Sequence, residues 1–387
     1  MHKLYEWYKV NGLLKVVVFI IILRLVMTFC GLIAVSRIGV FDNDWNIQKS
    51  SQTNSISSTT LDMWSSWDGK WYESISKNGY ISTGRPYTVH TNKDIVFFPL
   101  LPYLSSLFSF GILPHVLVGL VLSNVASIAI VGLLYALLIK RKVSKKIALL
   151  SVWLLFAHPF AFIFGAYYTE ALFLMFALAT LYSWHTQHKV LTFLFGVLAG
   201  LTRPVGVVLC AVGGIQMIQQ KFWKQPIKQW LPNGASLTGP LVGYGLFAYY
   251  ALIKTGTWSA FTEAEAEGWG RVAQIGSIVK NLFLQPFVGF NWFVFALFAW
   301  LAILLVVWQR NKIGIDLTIW TLLTLALPLS TSILGMPRYT IVLFSIPLAL
   351  GFMLIKRPAY IKPLLSLLFI VQVVGFCLWV MGAQFMV

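Results

Sequence analysis

Apolar runs of about twenty residues return along this chain from one terminus to the other, and they leave few folds open. Each is long enough to cross a hydrocarbon core of roughly 30 Å. Inside lipid every backbone N–H and C=O must find its partner within the protein, which only helices and closed barrels arrange. A barrel strand alternates apolar and polar residues, whereas these runs are continuously apolar. The chain is therefore read as all-α, a polytopic membrane protein. Its 11% of charged residues, against about 25% in soluble domains, agrees.

The expected spans are 13–35, 116–139, 147–164, 171–184, 191–202, 204–219, 237–253, 286–308, 313–330, 339–355 and 364–384, about eleven crossings. Residues 1–387 form a single integral membrane domain. Within it lie a first outer loop at 36–112, carrying interfacial helices, and a second outer loop at 254–284. The first run is longer than a signal-peptide core and is read as an uncleaved span. The Ser50 to Thr60 tract, rich in Ser, Thr, Asn and Gln, reads as a flexible flap.

Charge sets the orientation. The net charge of +17 would suit a nucleic-acid surface, but its lysines and arginines cluster in short loops between spans. The most basic loop, 140–146, belongs inside. Residues 95–112, broken by Pro99 and Pro102, are therefore read as re-entrant or interfacial rather than crossing. The stretch 191–219 is too long for one span, so it breaks at Arg203-Pro204, with Arg203 in water at the outer face. With the N-terminus cytoplasmic, every carboxylate except Glu6 and Asp316 then falls outside.

Few residues can carry chemistry. Cys30, Cys210 and Cys377 lie in apolar runs and suggest neither a disulfide framework nor a metal site. His185 and His188 share a helix face without further ligands and read as an interfacial pair. Glu263, Glu265 and Glu267 read as a solvated edge, and mid-span Arg24 must face the bundle interior. In 67–80, Trp67, Trp71, Tyr72 and Ile75 recur at helical spacing, an amphipathic helix in the interface. Asp68 at its start is either an N-terminal cap or a general base facing a membrane-edge cavity. Glu170 either compensates a helix N-terminus or converges with Asp68 and two arginines on one face of the bundle. Arg203 and Arg338 are snorkelling interfacial arginines or, together, donors for a phosphate.

The pattern Trp67-Asp68-Gly69-x-Trp71-Tyr72-x-x-Ile75-x-x-x-Gly79-Tyr80 is similar to the first-loop signature of the PIG-V mannosyltransferase family, its bacterial members above all. Phe97-Phe98-Pro99-Leu100-x-Pro102 resembles the block that follows. The segment from His158-Pro159 to Tyr168-Thr169-Glu170-Ala171-Leu172-Phe173 resembles another, with His158 for the usual Asn and Thr169 for the usual Ser. Gly200-Leu201-Thr202-Arg203-Pro204-x-Gly206 and Arg338-Tyr339 resemble later blocks, in matching order.

The resemblance implies a C-type glycosyltransferase architecture and transfer of a hexose, mannose by analogy, from a polyprenyl-phosphate sugar on the outer face. Asp68 would be the catalytic base and Glu170 a supporting acid, with Arg203 and Arg338 at the donor phosphate. Trp67, Lys70, Trp71, Tyr72 and Tyr168 would touch acceptor or donor sugar. No cofactor or metal ligand is assigned, and a divalent metal stays an open addition. The expected partners are the lipid-linked donor, membrane lipids and an acceptor glycolipid, polymer or protein, with no nucleic acid, in a bacterial plasma membrane. The competing reading, a lipid or solute transporter or flippase, wants ionisable groups deep in the spans and repeat symmetry.

Overall fold

The computed structural model describes residues 2–39, 56–80 and 93–383, and these contain nineteen α-helices and no strand. Most of the Ser50 to Thr60 tract lies outside the described residues. The entry region holds α1 (His2–Arg37), α2 (Ile56–Trp64), α3 (Asp68–Asn78) and α4 (Leu100–Ser109). An up-and-down series follows: α5 (His115–Lys140), α6 (Lys145–Phe156), α7 (Glu170–His185), α8 (Lys189–Thr202) and α9 (Val208–Gln219). Then come α10 (Ile227–Ser236), α11 (Gly239–Thr255), and the short α12 (Ala260–Glu263) and α13 (Ile275–Val279). The chain finishes with α14 (Phe290–Trp308), α15 (Arg310–Ile313), α16 (Ile315–Leu329), α17 (Met336–Thr340), α18 (Ser345–Leu354) and α19 (Ile361–Val380).

Among the described residues four helical segments are long and apolar enough to cross a membrane: Gly12–Arg37, His115–Lys140, Phe290–Trp308 and Pro358–Val380. A fifth arises if Trp230–Ser236 and Gly239–Thr255, bent by 42°, count as one. The other expected spans are shorter, for identifiable reasons. Expected span 147–164 stops at Phe156, because Pro159 removes an N–H and disfavours helix at His158. Gln372 of α19 donates to the freed carbonyls of Phe156 (3.0 Å) and His158 (2.6 Å), which lets the break persist in an apolar interior. The stretch 191–219 breaks where expected, with Arg203 extended ahead of Pro204. At ten residues, about 15 Å, α4 is too short to cross.

The helices wear their apolar residues on the outside as well as within. On α1, Leu25 and Phe29 are 66% and 64% exposed, and α14 and α19 present Leu304 and Ile370 in the same way. Such stripes suit lipid rather than water. By contrast α7 is buried around its circumference. Arg24 turns inward from α1 and donates to the Asn124 side chain on α5, as a mid-span cation must.

Polar clusters mark the two ends of α7. Glu170 begins it and His185 ends it, roughly 22 Å apart at 1.5 Å per residue. At the His185 end, Arg141 grips Asp316 through two bonds of 2.7 and 2.9 Å, and Gln216 adds a third at 2.6 Å. This cluster ties together the ends of α5, α9 and α16.

One helix pair approaches unusually closely. Gly196 and Gly200 of α8 face Gly239 and Gly243 of α11, two small-xxx-small patterns meeting backbone to backbone. A Cβ at any of the four would come closer than 3.0 Å to the opposite helix, at Gly243 against the Val197 carbonyl and at Gly200 against that of Pro240. Gly245, on the same helix, has nothing within 4 Å. Gly243→Leu is expected to lower the melting temperature of the detergent-solubilised protein by several degrees, with an overpacking cost of about 1–3 kcal/mol. Gly245→Leu should leave it unchanged; equal melting of the two variants would refute the seam.

Candidate active site

The site is built around a sharp corner between α2 and α3. Ser65 and Ser66 turn the chain, and Trp67 takes φ +58°, ψ −120°, a region that bulky residues avoid. Its indole Nε1 donates to the Trp379 carbonyl of α19 at 3.1 Å, which fixes the corner against the bundle. The next residue is Asp68. Its backbone N–H donates to the Tyr168 hydroxyl (3.1 Å), which itself donates to the Ser66 carbonyl (3.0 Å). Burial, and then the Asp68 charge, push the Tyr168 phenol well above its ordinary pKa, so it stays neutral for both bonds. Tyr167 reaches back from the same loop, its N–H bonded to the Trp64 carbonyl at 2.8 Å. The Tyr167 ring lies against Gly119 of α5, where a Cβ would overlap it.

Four charged side chains converge here from four separate segments. The Glu170 side chain is fully buried at the head of α7. Arg203, in the break between α8 and α9, donates to Glu170 Oε1 at 2.6 Å and to Thr169 Oγ1 at 3.3 Å. Arg338 of α17 bridges both acids, its Nε on Glu170 Oε1 and one Nη on Asp68 Oδ2. Its guanidinium carbon also sits 4.5 Å from the centre of the Tyr168 ring, and Arg203 lies 5.6 Å from that of Tyr339. Two guanidinium groups thus compensate two carboxylates, and burial of Glu170 would be prohibitive without them. Asp68 keeps 22% of its side chain exposed, and Oδ1 has no hydrogen-bond partner among the described residues.

The structure therefore brings Asp68, Glu170, Arg203 and Arg338 together, and several expectations change. Asp68 does not cap α3; its carboxylate turns to Arg338. Arg203 is not in water but only 9% exposed, because Glu170 draws it inward. Tyr72 is buried, with its hydroxyl 3.2 Å from Thr169 Oγ1. Lys70 stays outside the cluster and pairs with Asp62 (2.6 Å) and Glu73 (3.5 Å). Trp71 stacks on Phe97 at 5.6 Å and meets Trp269 at 5.7 Å.

Trp269 belongs to the second long loop, whose part in the site sequence reasoning missed. Glu265 is not a solvated edge: it is half-buried, and Arg271 N–H donates to its carbonyl at 2.7 Å. Burial raises the Glu265 carboxyl, Arg271 opposes this and Asp68 adds to it, leaving its pKa above the ordinary value. Burial opposes the Arg271 charge, but Tyr339, Glu265 and Asp68 together outweigh it and raise the guanidinium. Of the three alternating glutamates, only Glu267 stands fully exposed, and Ser259 donates to Glu263. The signal available in sequence was Trp269 beside Arg271, a wedge of indole and guanidinium in a loop otherwise rich in small residues.

Among the described residues no three His, Cys, Asp or Glu side chains gather into a metal-ligand set. A cleft of about 220 Å³ between α5, α7 and α8, lined by Leu133, Met175, Phe176, Tyr182 and Phe195, stands apart from the charged cluster and is almost wholly apolar. The charged cluster instead sets a partly exposed carboxylate beside two guanidinium groups, a pairing able to take up a proton next to a growing negative charge.

Among solved structures, the chain is similar to the oligosaccharyltransferase of Archaeoglobus fulgidus tethered to an acceptor peptide containing the NVT sequon. The identity is 12% and the TM-score 0.46, over 94% of this chain and 55% of that one. The chain thus spans about half the length of that protein. No curated protein matches. The family described as Mannosyltransferase (PIG-V) matches residues 10–231, a stretch that includes Asp68, Glu170 and Arg203. Matched over more than half of its length, the chain belongs to the PIG-V mannosyltransferase family of glycosyltransferases.

Proposed function

We propose that this protein moves a hexose, mannose by family, from a polyprenyl-phosphate sugar to an acceptor hydroxyl on a glycolipid, polymer or protein at the outer membrane face. The observation that carries the reading is the partly exposed Asp68 carboxylate held beside Arg338, Glu170 and Arg203. Asp68 takes the proton of the acceptor hydroxyl, whose oxygen bonds to the anomeric carbon. The bond from that carbon to the lipid phosphate oxygen breaks, and polyprenyl phosphate leaves with the electron pair. A single displacement of this kind inverts the anomeric centre.

Arg338 and Arg203 stabilise the charge that grows on the departing phosphate, an effect often worth about 3 kcal/mol per donor. The remaining Nη of Arg338 has no partner among the described residues and is the group offered to the donor. Glu170 holds both arginines in place as the supporting acid. Trp67, Trp71, Tyr72 and Tyr168 surround Asp68 and would frame the sugar or acceptor, with Lys70 at the rim. The N-terminus is cytoplasmic in a bacterial plasma membrane. The cluster of Arg141 and Asp316, at the far end of α7, then faces the basic inner side. In this reading α6, α7, α8, α9, α11 and α16 also cross, as does the α17–α18 segment 336–354 taken together, and with the four long segments about eleven spans result.

Asp68→Asn should lower transfer from polyprenyl-phosphate mannose by about 10²–10⁴-fold with little loss of thermal stability; near-normal turnover would remove Asp68 from the chemistry. Glu170→Gln should instead unfold the protein readily, since it leaves two buried cations facing one neutral amide, at a cost of about 3–5 kcal/mol. In a background with Cys30, Cys210 and Cys377 replaced by Ala, a membrane-impermeant maleimide applied to intact cells should label Ser74→Cys and spare Lys312→Cys. The reverse pattern would invert the orientation.

A further inference from the structure

At the centre of the site, charge is balanced: Arg203 and Arg338 are both engaged by Asp68 and Glu170. A phosphate arriving with its own negative charge would meet no net attraction from these four groups. Arg271 is the cation that alters this. It follows Gly270, whose φ of +66° turns the chain back so that the Arg271 N–H reaches the Glu265 carbonyl. Its guanidinium carbon lies 5.9 Å from the centre of the Trp269 ring. Trp269 in turn packs edge-on against Trp71 (5.7 Å) and Phe97 (5.8 Å), and its Nε1 donates to the Lys93 carbonyl at 3.1 Å. Trp71 stands three residues after Asp68 on α3, so this aromatic clamp holds the loop against the mouth of the site. The Glu265 and Asp68 carboxylates attract the Arg271 guanidinium and Arg338 repels it. Yet among the described residues it makes no ion pair within 4.0 Å.

We propose that Arg271 is the anion-capturing residue of this site, binding the phosphate of the lipid-linked donor while Trp269 holds its guanidinium plane in position. A planar fork of donors next to an indole face fits two phosphate oxygens at once, and a cation with no carboxylate partner gives up none to do so. Arg338 completes the grip with its remaining Nη. The assignment rests on the transferase reading above and adds to it the residue that supplies the missing positive charge.

Binding of sugar-free polyprenyl phosphate to the full-length protein in detergent, read by tryptophan fluorescence, tests this apart from turnover. Arg271→Gln should weaken binding by about tenfold or more, about 1.4 kcal/mol, and raise the KM for the donor by the same factor with a smaller change in kcat. Arg271→Lys should recover part of both, and Asp68→Asn, which releases Arg338 from its carboxylate, should bind at least as tightly as the wild type while failing to transfer. Unchanged binding in Arg271→Gln, with a melting temperature like that of the wild type, would overturn the proposal. If inorganic phosphate competed at the concentration of the lipid, the site would be one for free phosphate and the donor assignment would fall. If the wild-type protein bound no polyprenyl phosphate at all, the transferase reading itself would fail, a result separable from the others.

Discussion

A carboxylate with no solvent exposure, at the head of a helix buried on every side, is the constraint from which most of this architecture follows. An unpaired Glu170 would cost several kcal/mol, so two guanidinium groups have to reach it, and the chain must be shaped to deliver them. Hence α8 stops at Thr202, Arg203 extends the backbone, and Gly335 enters the left-handed region at φ +74° to start α17, the helix that carries Pro337 and Arg338. Each interruption would weaken a helix considered alone. Together they place two forks of N–H donors around one oxygen.

The same logic explains why the Asp68 end is rigid. Trp67 holds a backbone conformation that costs of order 1–3 kcal/mol, and such strain persists only where neighbours over-determine it. Here the indole bond to α19, the Tyr168 hydroxyl and the Tyr167 N–H all act within three residues of the corner. The opposite end of α7 is fixed by a second ionic cluster, Arg141 with Asp316 and Gln216. A hydrophobic column is thus pinned at both extremities by polar contacts that admit little alternative geometry.

Much of this was legible in the amino acids. Continuous apolar runs dictate helices, and Asp68, Glu170, Arg203 and Arg338 stand out because most other ionisable residues at span ends belong to the basic inner loops. Their meeting could be inferred only from the order of whole blocks, since spacing along one chain says nothing of contact across it. Arg203 was misjudged for that reason: considered singly, an arginine at a helix end snorkels, and only the Glu170 partner buries it. His158-Pro159 was absorbed into a span because hydropathy averages over a break that Gln372 repairs from far along the chain. The alternating glutamates of 263–267 carry no mark of burial, which comes from the aromatic clamp around Trp269. The glycine patterns of α8 and α11 gain meaning only from their pairing, which is a tertiary fact.

Those glycines have an effect beyond cohesion. Arg203 lies three residues past Gly200, on the stub where α8 gives out, so the distance between the two backbones sets how far its side chain reaches. The seam behaves as a shim: thickening it by a methyl would lift the stub outward, stretching a 2.6 Å ion pair that anchors the opposite wall. The geometry around one aspartate thus depends on a stripe of residues that bear no functional groups at all, and that have no room for a larger side chain.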